Sequence, residues 1–493
     1  MARRQKIRTV FCWALFLSAL WVSWAEAQVQ DNRWSTPYRL SSLDGEAGSA
    51  AMAADKYGYV HVFWKETDFP DNRSIIQYAR FDGETWTTPI DIYVTWPSIP
   101  IGAVTTYIDH KGILHLAWSE GNSGPVYHTS APAYDTLSAQ HWPEPLRMDI
   151  PAYEFGLRVD SAGVLHVLYS KLRPPRQGIY YVRSEDGGIT WSDPLWLDSD
   201  IPYNLSPLGS VFVLDENGGL HATWYYFAPD APGNPGGWIR YAHSLDGGHN
   251  WSLPITIDRD HDGSNRLAMP GPIMTVVGQN VHIIWAGGEL LYRHHRFSND
   301  AGRTWGAPQW IFDDLHGQAG DGAAVDAAGR VHYIGQIRYP QGLYHAYWDQ
   351  DHWTAPSLFY LIAHDAFDPI GDRIHAHWVR LAVRAGNQLV TTFTNSPSDP
   401  QRVLYAMHHT LEDIPPLSAV PTPISAPTPT PQPSPTLTPF VPTPTPKAPP
   451  SDSSAAPPPV NGATPGFALW LGIAPSLLLI TSIIVFRSLR KHY

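Results

Sequence analysis

Two stretches decide the fold of this 493-residue chain: Asp55-Lys-Tyr-Gly58-Tyr-Val-His61 and Trp86-Thr-Thr-Pro89. Both recur. The pattern W-x-x-P occurs seven times, starting at Trp34, Trp86, Trp142, Trp191, Trp251, Trp305 and Trp353. The pattern D-x-x-G-x-x-H alternates with W-x-x-P and starts at Asp55, Asp109, Asp160, Asp215 and Asp326, with altered copies at 278–282 and 386–389. Repeats spaced by roughly 50–60 residues indicate a solenoid, a propeller or an array.

Each repeat predicts four antiparallel strands. In the first repeat, small residues at 48–54 are followed by a turn, two β-branched and aromatic runs, and the W-x-x-P strand. Proline belongs on a sheet edge, so the W-x-x-P strand should be the outermost and the small-residue strand the innermost. Four-stranded repeats that cannot bury their faces alone predict an all-β propeller, with seven blades favoured and six as the alternative. The N-terminal W-x-x-P strand should complete the last blade and close the ring.

The two ends of the chain predict a secreted protein that is anchored in a membrane. Residues 1–27 have a basic start, an apolar stretch and an Ala25-Glu-Ala27 cleavage site, which is typical of a signal peptide. Residues 28–413 should form the extracellular propeller, and the Pro/Thr-rich residues 414–465 an extended stalk. Residues 466–486 are apolar enough for one transmembrane helix, and the basic tail at 487–493 should be cytoplasmic. The expected location is therefore the cell membrane, with a single span and an external propeller.

Charge and cysteine content exclude several classes of function. The net charge is −12, and each end carries a net of +3, so the rest of the chain carries −18. Such an acidic domain is not expected to bind nucleic acid. The only cysteine, Cys12, lies in the signal peptide, which leaves no disulfide or cysteine-based metal site.

Three repeats carry a longer turn of the form S-x-D-x-G-x-x-W before the outer strand. Aspartate can accept backbone N–H bonds in such a turn, glycine can take the left-handed conformation, and tryptophan can pack the hairpin onto its blade. The residues concerned are Ser184, Asp186, Gly188 and Trp191; Ser244, Asp246, Gly248 and Trp251; and Ser298, Asp300, Gly302 and Trp305. This pattern resembles the Asp-box (BNR repeat) of the sialidase-like β-propeller superfamily, over about residues 30–411. The resemblance implies that these turns are structural and lie on the face away from the active site.

The resemblance does not supply a catalytic site. Sialidases use an arginine triad, a Tyr–Glu pair and an Asp, and carry an Arg-Ile-Pro motif whose nearest counterpart here is Tyr38-Arg39-Leu40, in an edge strand. No triad can be assigned, so catalytic residues are unknown and the sequence leaves open whether the chain is an enzyme. We expect a surface-displayed carbohydrate-binding or scaffold propeller. The alternatives are a glycoside hydrolase or lyase that acts on extracellular glycans, and a protein-interaction module of an envelope complex.

The histidines do not indicate a metal site. His61, His115, His166, His221, His282 and His332 occupy the same strand position in different repeats, so they cannot converge, and a hydrogen-bonded role between blades is expected. A looser group, His364, Asp365, Asp368, Asp372 and His375, matches no ligand spacing and is interpreted as a solvated loop. We predict neither a metal nor a cofactor.

Ligands of propellers bind at the mouth of the central channel, on the face opposite the Asp-box turns. Loops that follow the second strands, or that lead into the inner strands, should form this face. Its predicted ligand-binding residues are Glu66, Glu120, Lys171, Arg173, Tyr225, Tyr226, Arg266, Glu289 and Arg338. Aromatic rings with charged partners suit a glycan, which we predict as the extracellular ligand.

Overall fold

The computed structural model describes residues 30–42, 45–68, 73–121, 123–172, 177–199, 206–227, 237–259, 271–288, 290–317, 320–361, 376–395 and 402–423. By its internal contacts the chain divides into two compact units, Met1–Ile424 and Ser425–Tyr493. The predicted signal peptide and transmembrane span, and all but the first ten residues of the predicted stalk, lie outside the described residues. Within those residues, no helix is both long and apolar enough to cross a bilayer.

The first unit is a seven-bladed β-propeller, which confirms the predicted fold class and excludes six blades. Blades 1 to 3, each from the inner to the outer strand, are β2 (Gly45–Ala54), β3 (Val60–Asp68), β4 (Arg73–Phe81), β5 (Ile90–Val94); β6 (Ile101–Ile108), β7 (Ile113–Glu120), β8 (Val126–Pro132), β9 (Leu146–Met148); β10 (Phe155–Val159), β11 (Leu165–Lys171), β12 (Gly178–Ser184), β13 (Leu195–Trp196). Blades 4 and 5 are β14 (Ser206–Leu214), β15 (Leu220–Phe227), β16 (Trp238–Ser244), β17 (Ile255–Arg259); β18 (Ile273–Val277), β19 (Asn280–Gly287), β20 (Tyr292–Ser298), β21 (Gln309–Trp310).

Blades 6 and 7 complete the ring. They comprise β22 (Gly322–Val325), β23 (Val331–Arg338), β24 (Gln341–Asp349), β25 (His352–Trp353), β26 (Ser357–Tyr360); β27 (Ala376–Arg384), β28 (Gln388–Asn395), β29 (Val403–Thr410) and β1 (Tyr38–Arg39). The pairing of β1 with β29 confirms that the N-terminal strand closes the ring. Apart from one short 3-10 helix, Ala139–His141, the described residues contain no helix.

The hydrophobic core is divided among the seven interfaces between neighbouring blades. One buried cluster lies in each interface, including the interface between blades 7 and 1 that closes the ring. The proline of each W-x-x-P pattern lies one residue before an outer strand, as Pro89 does before Ile90, rather than inside the strand as the sequence suggested. Proline's fixed φ and missing N–H suit this strand-entry position.

The Asp-box turns are closed by hydrogen bonds within each turn. In the first box, Asp186 accepts a hydrogen bond from the Ser184 hydroxyl at 2.8 Å and from the Thr190 N–H at 2.9 Å. Gly188 has a φ of 95°, and the Trp191 indole donates to the Gly188 carbonyl at 3.0 Å. Hydrogen bonds from the Thr190 side chain and backbone lower the pKa of Asp186 to about 2.

The recurring histidines are structural, but their hydrogen bonds lie within each blade rather than between blades. His221 contacts Asp215 of its own D-x-x-G turn at 3.2 Å and the Tyr241 hydroxyl of the third strand at 2.7 Å. Blades 1 and 3 also use a tyrosine as the third-strand partner, whereas blades 2, 5 and 6 use a second histidine. Contact with the next blade is made by the tyrosine, since the ring of Tyr241 packs 4.9 Å from that of Trp305.

Candidate functional site

A cavity of about 600 Å³ lies on the propeller axis, and residues from the inner strands, or from the segments that lead into them, line the cavity in all seven blades. These residues belong to the N-terminal ends of the inner strands, whereas the D-x-x-G turns follow their C-terminal ends. The cavity therefore lies at the face opposite the Asp-boxes, called the front face below. This is the face on which the sequence predicted ligand binding.

Irregular pairing of the inner strands opens the cavity. The register between first and second strands shifts in four blades, between residues 47 and 50, 101 and 104, 208 and 211, and 377 and 380. A bulge of this kind re-aims side chains locally. Glycine provides room beside two of the bulges: a Cβ on Gly48 would lie 2.6 Å from Lys65 Cε, and one on Gly209 would lie 2.7 Å from Tyr225 Cε1. Lys65 and Tyr225, from second strands, thereby reach the cavity.

Trp378 is held in a strained backbone conformation at the cavity wall. Its φ is 53°, and the equivalent bulge residue of blade 4 is Gly209, with a φ of 58°. A positive φ costs a bulky residue roughly 1–3 kcal/mol, and such strain is concentrated at functional sites. The Arg402 guanidinium packs over the Trp378 ring at 4.8 Å. The bulge therefore places an aromatic ring at the cavity where the sister blade has glycine.

Three cations line the cavity: Lys65, Arg158 and Arg380. Among the described residues, none of the three forms an ion pair with a carboxylate. Lys65 Nζ donates to the carbonyl of Ile101 at 3.2 Å, and Arg158 and Arg380 each donate to the carbonyl of the preceding residue. Burial lowers the pKa of Arg158 to about 10 and also lowers the pKa values of Arg380 and Lys65. All three charges are poorly solvated, so an anion in the cavity would stabilise them.

Glu154 is the one carboxylate of the described cavity lining that is free of an ion pair. Its Oε2 accepts a hydrogen bond from the Gly209 N–H at 2.5 Å. Burial raises the pKa of Glu154, while the N–H groups of Gly209 and Ser210 and the nearby charge of Arg380 oppose the rise. A carboxyl group that resists ionisation leaves the cavity more positive.

Asp321, the second carboxylate of the lining, serves the fold. Its two oxygens bind the buried guanidinium of Arg293, at 2.7 and 3.3 Å, the hydroxyl of Tyr333 at 2.5 Å and the N–H of Gln336 at 3.0 Å. These four hydrogen bonds occupy the lone pairs of the carboxylate. Asp321 and Glu154 therefore do not form the pair of free carboxylates that two-carboxylate glycoside hydrolysis uses.

The structure brings one of the predicted ligand-binding residues, Tyr225, to the cavity. Glu66 is buried and binds the Ser42 hydroxyl and the Trp64 indole, and Glu120 accepts a hydrogen bond from Tyr93 at 3.1 Å. Tyr226 is buried, and burial raises its pKa. Lys171 ends β11 and Arg338 ends β23, and neither lines the cavity. Arg173, Arg266, Glu289 and the His364–His375 group lie outside the described residues.

A signal that separates the cavity residues of the second strands from their neighbours is present in the repeat. Lys65 and Tyr225 stand four residues after the histidine of the D-x-x-G-x-x-H pattern, whereas Glu66 and Tyr226 stand five residues after it. Alternation along a strand sends these two positions to opposite faces of the blade. Arg158 and Arg380, by contrast, lie in inner strands, which the sequence analysis treated only as small-residue scaffolding.

At the opposite end of the propeller, the chain after β29 packs against turns of blades 6, 7 and 1. After β29, residues 411–420 run along the D-x-x-G turns, called the back face below. The Leu417 N–H donates to the Ala385 carbonyl, and the Val420 N–H to the Lys56 carbonyl, both at 2.8 Å. Asp413 forms an ion pair with Arg330 at 2.6 Å. The first residues of the predicted stalk therefore lie against the propeller, on the side away from the cavity.

Solved structures of similar fold include three glycan-acting propellers. The polysaccharide lyase Uly1 aligns with a TM-score of 0.50 and 11% identity, over 79% of this chain and 94% of its own. An ulvan lyase of family PL25 aligns at 0.49 and 12%, over 74% and 94%. The NanB sialidase of Streptococcus pneumoniae aligns at 0.43 and 14%, over 78% and 71%.

At such low identity, similarity to these structures concerns the fold alone. The alignment with Uly1 agrees with the seven-bladed β-propeller fold described above. No protein-family model and no curated protein sequence matches the chain.

Proposed function

We propose that this chain, which has the fold of the sialidase-like β-propeller superfamily, binds acidic polysaccharides in its central cavity. The observation that carries the proposal is the charge of the cavity. Lys65, Arg158 and Arg380 line it without an ion-pair partner among the described residues, in a protein whose net charge is −12. A positive cavity attracts an anion, even in a protein whose overall charge is negative.

The cavity also suits a sugar. Guanidinium groups bind carboxylates and sulfates through charge-assisted hydrogen bonds, which are roughly twice as strong as neutral ones. Tyr225, Trp285 and Trp378 add aromatic surface beside these charges. Aromatic rings with a few placed polar groups are the usual composition of a small-molecule site. Uronic, sialic and sulfated sugars combine the anion and the apolar ring face that such a cavity can recognise.

Binding can be tested by substituting one cavity cation at a time. Arg380→Met and Lys65→Met should each weaken binding of polygalacturonate about tenfold or more, because a lost charge-assisted hydrogen bond is worth about 1.5–3 kcal/mol. Arg39→Gln is the matched control. Arg39 is exposed on β1, and the substitution changes the net charge by the same amount. Isothermal titration calorimetry measures all three. Equal affinity of Arg380→Met and Arg39→Gln would contradict the proposal.

A lyase acting on the same acidic polysaccharides is a second candidate. The observation in its favour is Lys65, because burial lowers its pKa and so raises the fraction of neutral amine available as a base. Arg380 or Arg158 would neutralise the uronate carboxylate while the neutral Lys65 amine takes the proton from the adjacent C5. The C4–O glycosidic bond then breaks, and the departing sugar oxygen takes up a proton from water. Elimination creates a C=C bond that absorbs ultraviolet light. A steady rise in absorbance with polygalacturonate, lost in Lys65→Met, would favour the lyase; a flat trace with retained binding would favour a binding module.

The signal peptide, stalk and single span predict display of the propeller outside a membrane. The exit of the chain supports a particular orientation, because residues 411–423 leave along the back face while the cavity lies at the front. A tether attached there would present the cavity away from the anchor. Mild proteolysis of intact cells should release a soluble domain that ends beyond residue 423. Release only after lysis would contradict surface display.

A further inference from the structure

A continuous row of aromatic rings leads from the central cavity to the rim of blades 5 and 6. It begins at Trp285 in the cavity lining, whose ring lies 5.5 Å from that of His294. His294 is 6.4 Å from Trp310, which stacks on Tyr292 at 5.2 Å with an interplanar angle of 5°. The row, called the aromatic track below, continues through His316, 5.5 Å from Tyr292, to Tyr339, which lies 5.4 Å from His316.

The outer part of the aromatic track is open to solvent. Trp310 is 56% exposed and Tyr339 46% exposed, whereas Trp285 is 3% exposed at the cavity end. Exposed aromatic rings that adjoin one another mark an interaction site more often than scattered ones do. Tyr292 and Trp310 are nearly parallel, so their stacking holds both rings in place without covering the outer one.

A buried ion pair fixes the backbone beneath the aromatic track. The fully buried Arg293 donates to the carbonyls of Leu291 and Gly317, at 2.8 and 2.6 Å, and to the carbonyl of Gln336 at 2.7 Å. Its ion pair with Asp321, at 2.7 Å, joins the same network to the cavity wall. Leu291 precedes Tyr292, Gly317 follows His316, and Gln336 lies in β23 three residues before Tyr339. The aromatic track is therefore held rigidly in register with the cavity, as a preformed site requires.

We propose that the aromatic track binds uncharged sugar units of a polysaccharide whose acidic unit occupies the central cavity. The inference rests on the proposed function and deepens it, because it makes the ligand a run of several sugars rather than a single terminal one. Trp310 and Tyr339 are the exposed rings of the track, so each can offer a face to one pyranose ring. The track carries no net charge of its own apart from the titratable histidines, which suits neutral units.

The test compares hyaluronan, in which acidic and neutral sugars alternate, with the all-acidic polygalacturonate and with neutral arabinan. Binding by the full-length protein is measured by calorimetry, with hyaluronan oligosaccharides from the disaccharide to the decasaccharide. Trp310→Ala and Tyr339→Ala remove exposed rings of the track. Trp96→Ala is the control, because Trp96 is 79% exposed and belongs to no ring contact of the track. Circular dichroism and thermal melting establish that each variant is folded.

Affinity of the wild type should rise with hyaluronan length, and Trp310→Ala should lose about tenfold for the decasaccharide while leaving the disaccharide unchanged. Trp96→Ala should bind both as the wild type does. If Arg380→Met abolishes binding but the track variants bind the decasaccharide normally, the track is refuted and the cavity stands. If only arabinan binds and Trp310→Ala abolishes it, the track stands and the acidic cavity is refuted. An equal loss in Trp96→Ala, or no binding to any probe, overturns the track.

Discussion

Replacing Gly302 with alanine should destabilise the propeller far more than the equivalent change at Gly247. Both glycines belong to Asp-boxes and both have a positive φ, 81° and 67°. A Cβ on Gly302 would lie 1.9 Å from the Tyr241 hydroxyl of the preceding blade, whereas a Cβ on Gly247 meets no atom within 4 Å. Comparing the two variants therefore separates the cost of a collision between blades from the cost of placing alanine at a positive φ.

The expected cost follows from two contributions. Alanine in the left-handed region costs about 1–2 kcal/mol at either position. The third Asp-box already holds Ala301, with a φ of 58°, at the position equivalent to Gly247, so the lower value applies there. Forcing an extra methyl group into a packed interface adds roughly 1–3 kcal/mol. Gly302→Ala should therefore cost about 2–4 kcal/mol and Gly247→Ala about 1 kcal/mol.

Thermal melting of the full-length variants gives the measurement. For a domain of this size, a loss of 2–4 kcal/mol lowers the melting temperature by roughly 2–5 °C. Tyr241→Phe removes the atom nearest to the new methyl group, together with the 2.7 Å hydrogen bond to His221. In that background, Gly302→Ala should cost less than it does alone, because part of the collision is gone.

Equal melting temperatures for Gly302→Ala and Gly247→Ala would refute the reasoning. That result would mean that the Asp-box glycine is selected for its φ alone and that neighbouring blades are not in tight contact at Tyr241. A full additive cost in the Tyr241→Phe background would also count against the contact.

Two further predictions concern stability. Burial lowers the pKa of His128 to about 3 and that of His282 to about 4. The stability that each neutral histidine contributes is complete above the unfolded pKa of about 6.5, and it is lost as pH falls from there to the folded pKa, by up to about 1.4 kcal/mol per pH unit. Melting temperatures between pH 7.5 and 4.5 should decline less in His128→Gln, which cannot titrate; a flat wild-type profile would contradict this. Ile414 is a buried residue, and Val420 an exposed one, of the segment that runs along the back face. Ile414→Ala should therefore lower the free energy of unfolding by about 2–4 kcal/mol, whereas Val420→Ala should change it little, as measured by thermal melting. Equal melting temperatures of the two variants would show that the segment does not stabilise the propeller.

The fold could be predicted from the sequence because the same strand pattern recurs along the chain. Seven W-x-x-P patterns specify seven outer strands, and a proline cannot occupy a central strand, so the order of strands within a blade follows. The pairing of the N-terminal strand β1 with the last blade could be inferred because the last repeat lacks its fourth strand. The hydrogen bonds of the histidines were less accessible, since the third-strand partner is 13 to 20 residues away and changes between tyrosine and histidine.

The candidate site was harder to predict because it depends on departures from the repeat. Bulges beside Gly48 and Trp378 turn Lys65 and Arg380 toward the axis. No residue pattern in the repeat predicts such a local shift of register. Glu66 was predicted at the ligand-binding face because it is charged and lies next to a loop. In the structure its carboxylate instead accepts hydrogen bonds from Ser42 and Trp64. Arg158 lies in an inner strand, where small residues were expected.

The most direct test of the acidic-polysaccharide proposal is calorimetric titration of the full-length protein with polygalacturonate and with the same polymer after its carboxyl groups have been reduced to alcohols. The two ligands share backbone and ring shape and differ in charge. If the cavity cations recognise the carboxylate, affinity for the reduced polymer should fall at least about tenfold, and the difference in affinity between the two polymers should be smaller in Arg380→Met than in the wild type. Equal affinity of the wild type for the two polymers, or binding of neither, would contradict the account.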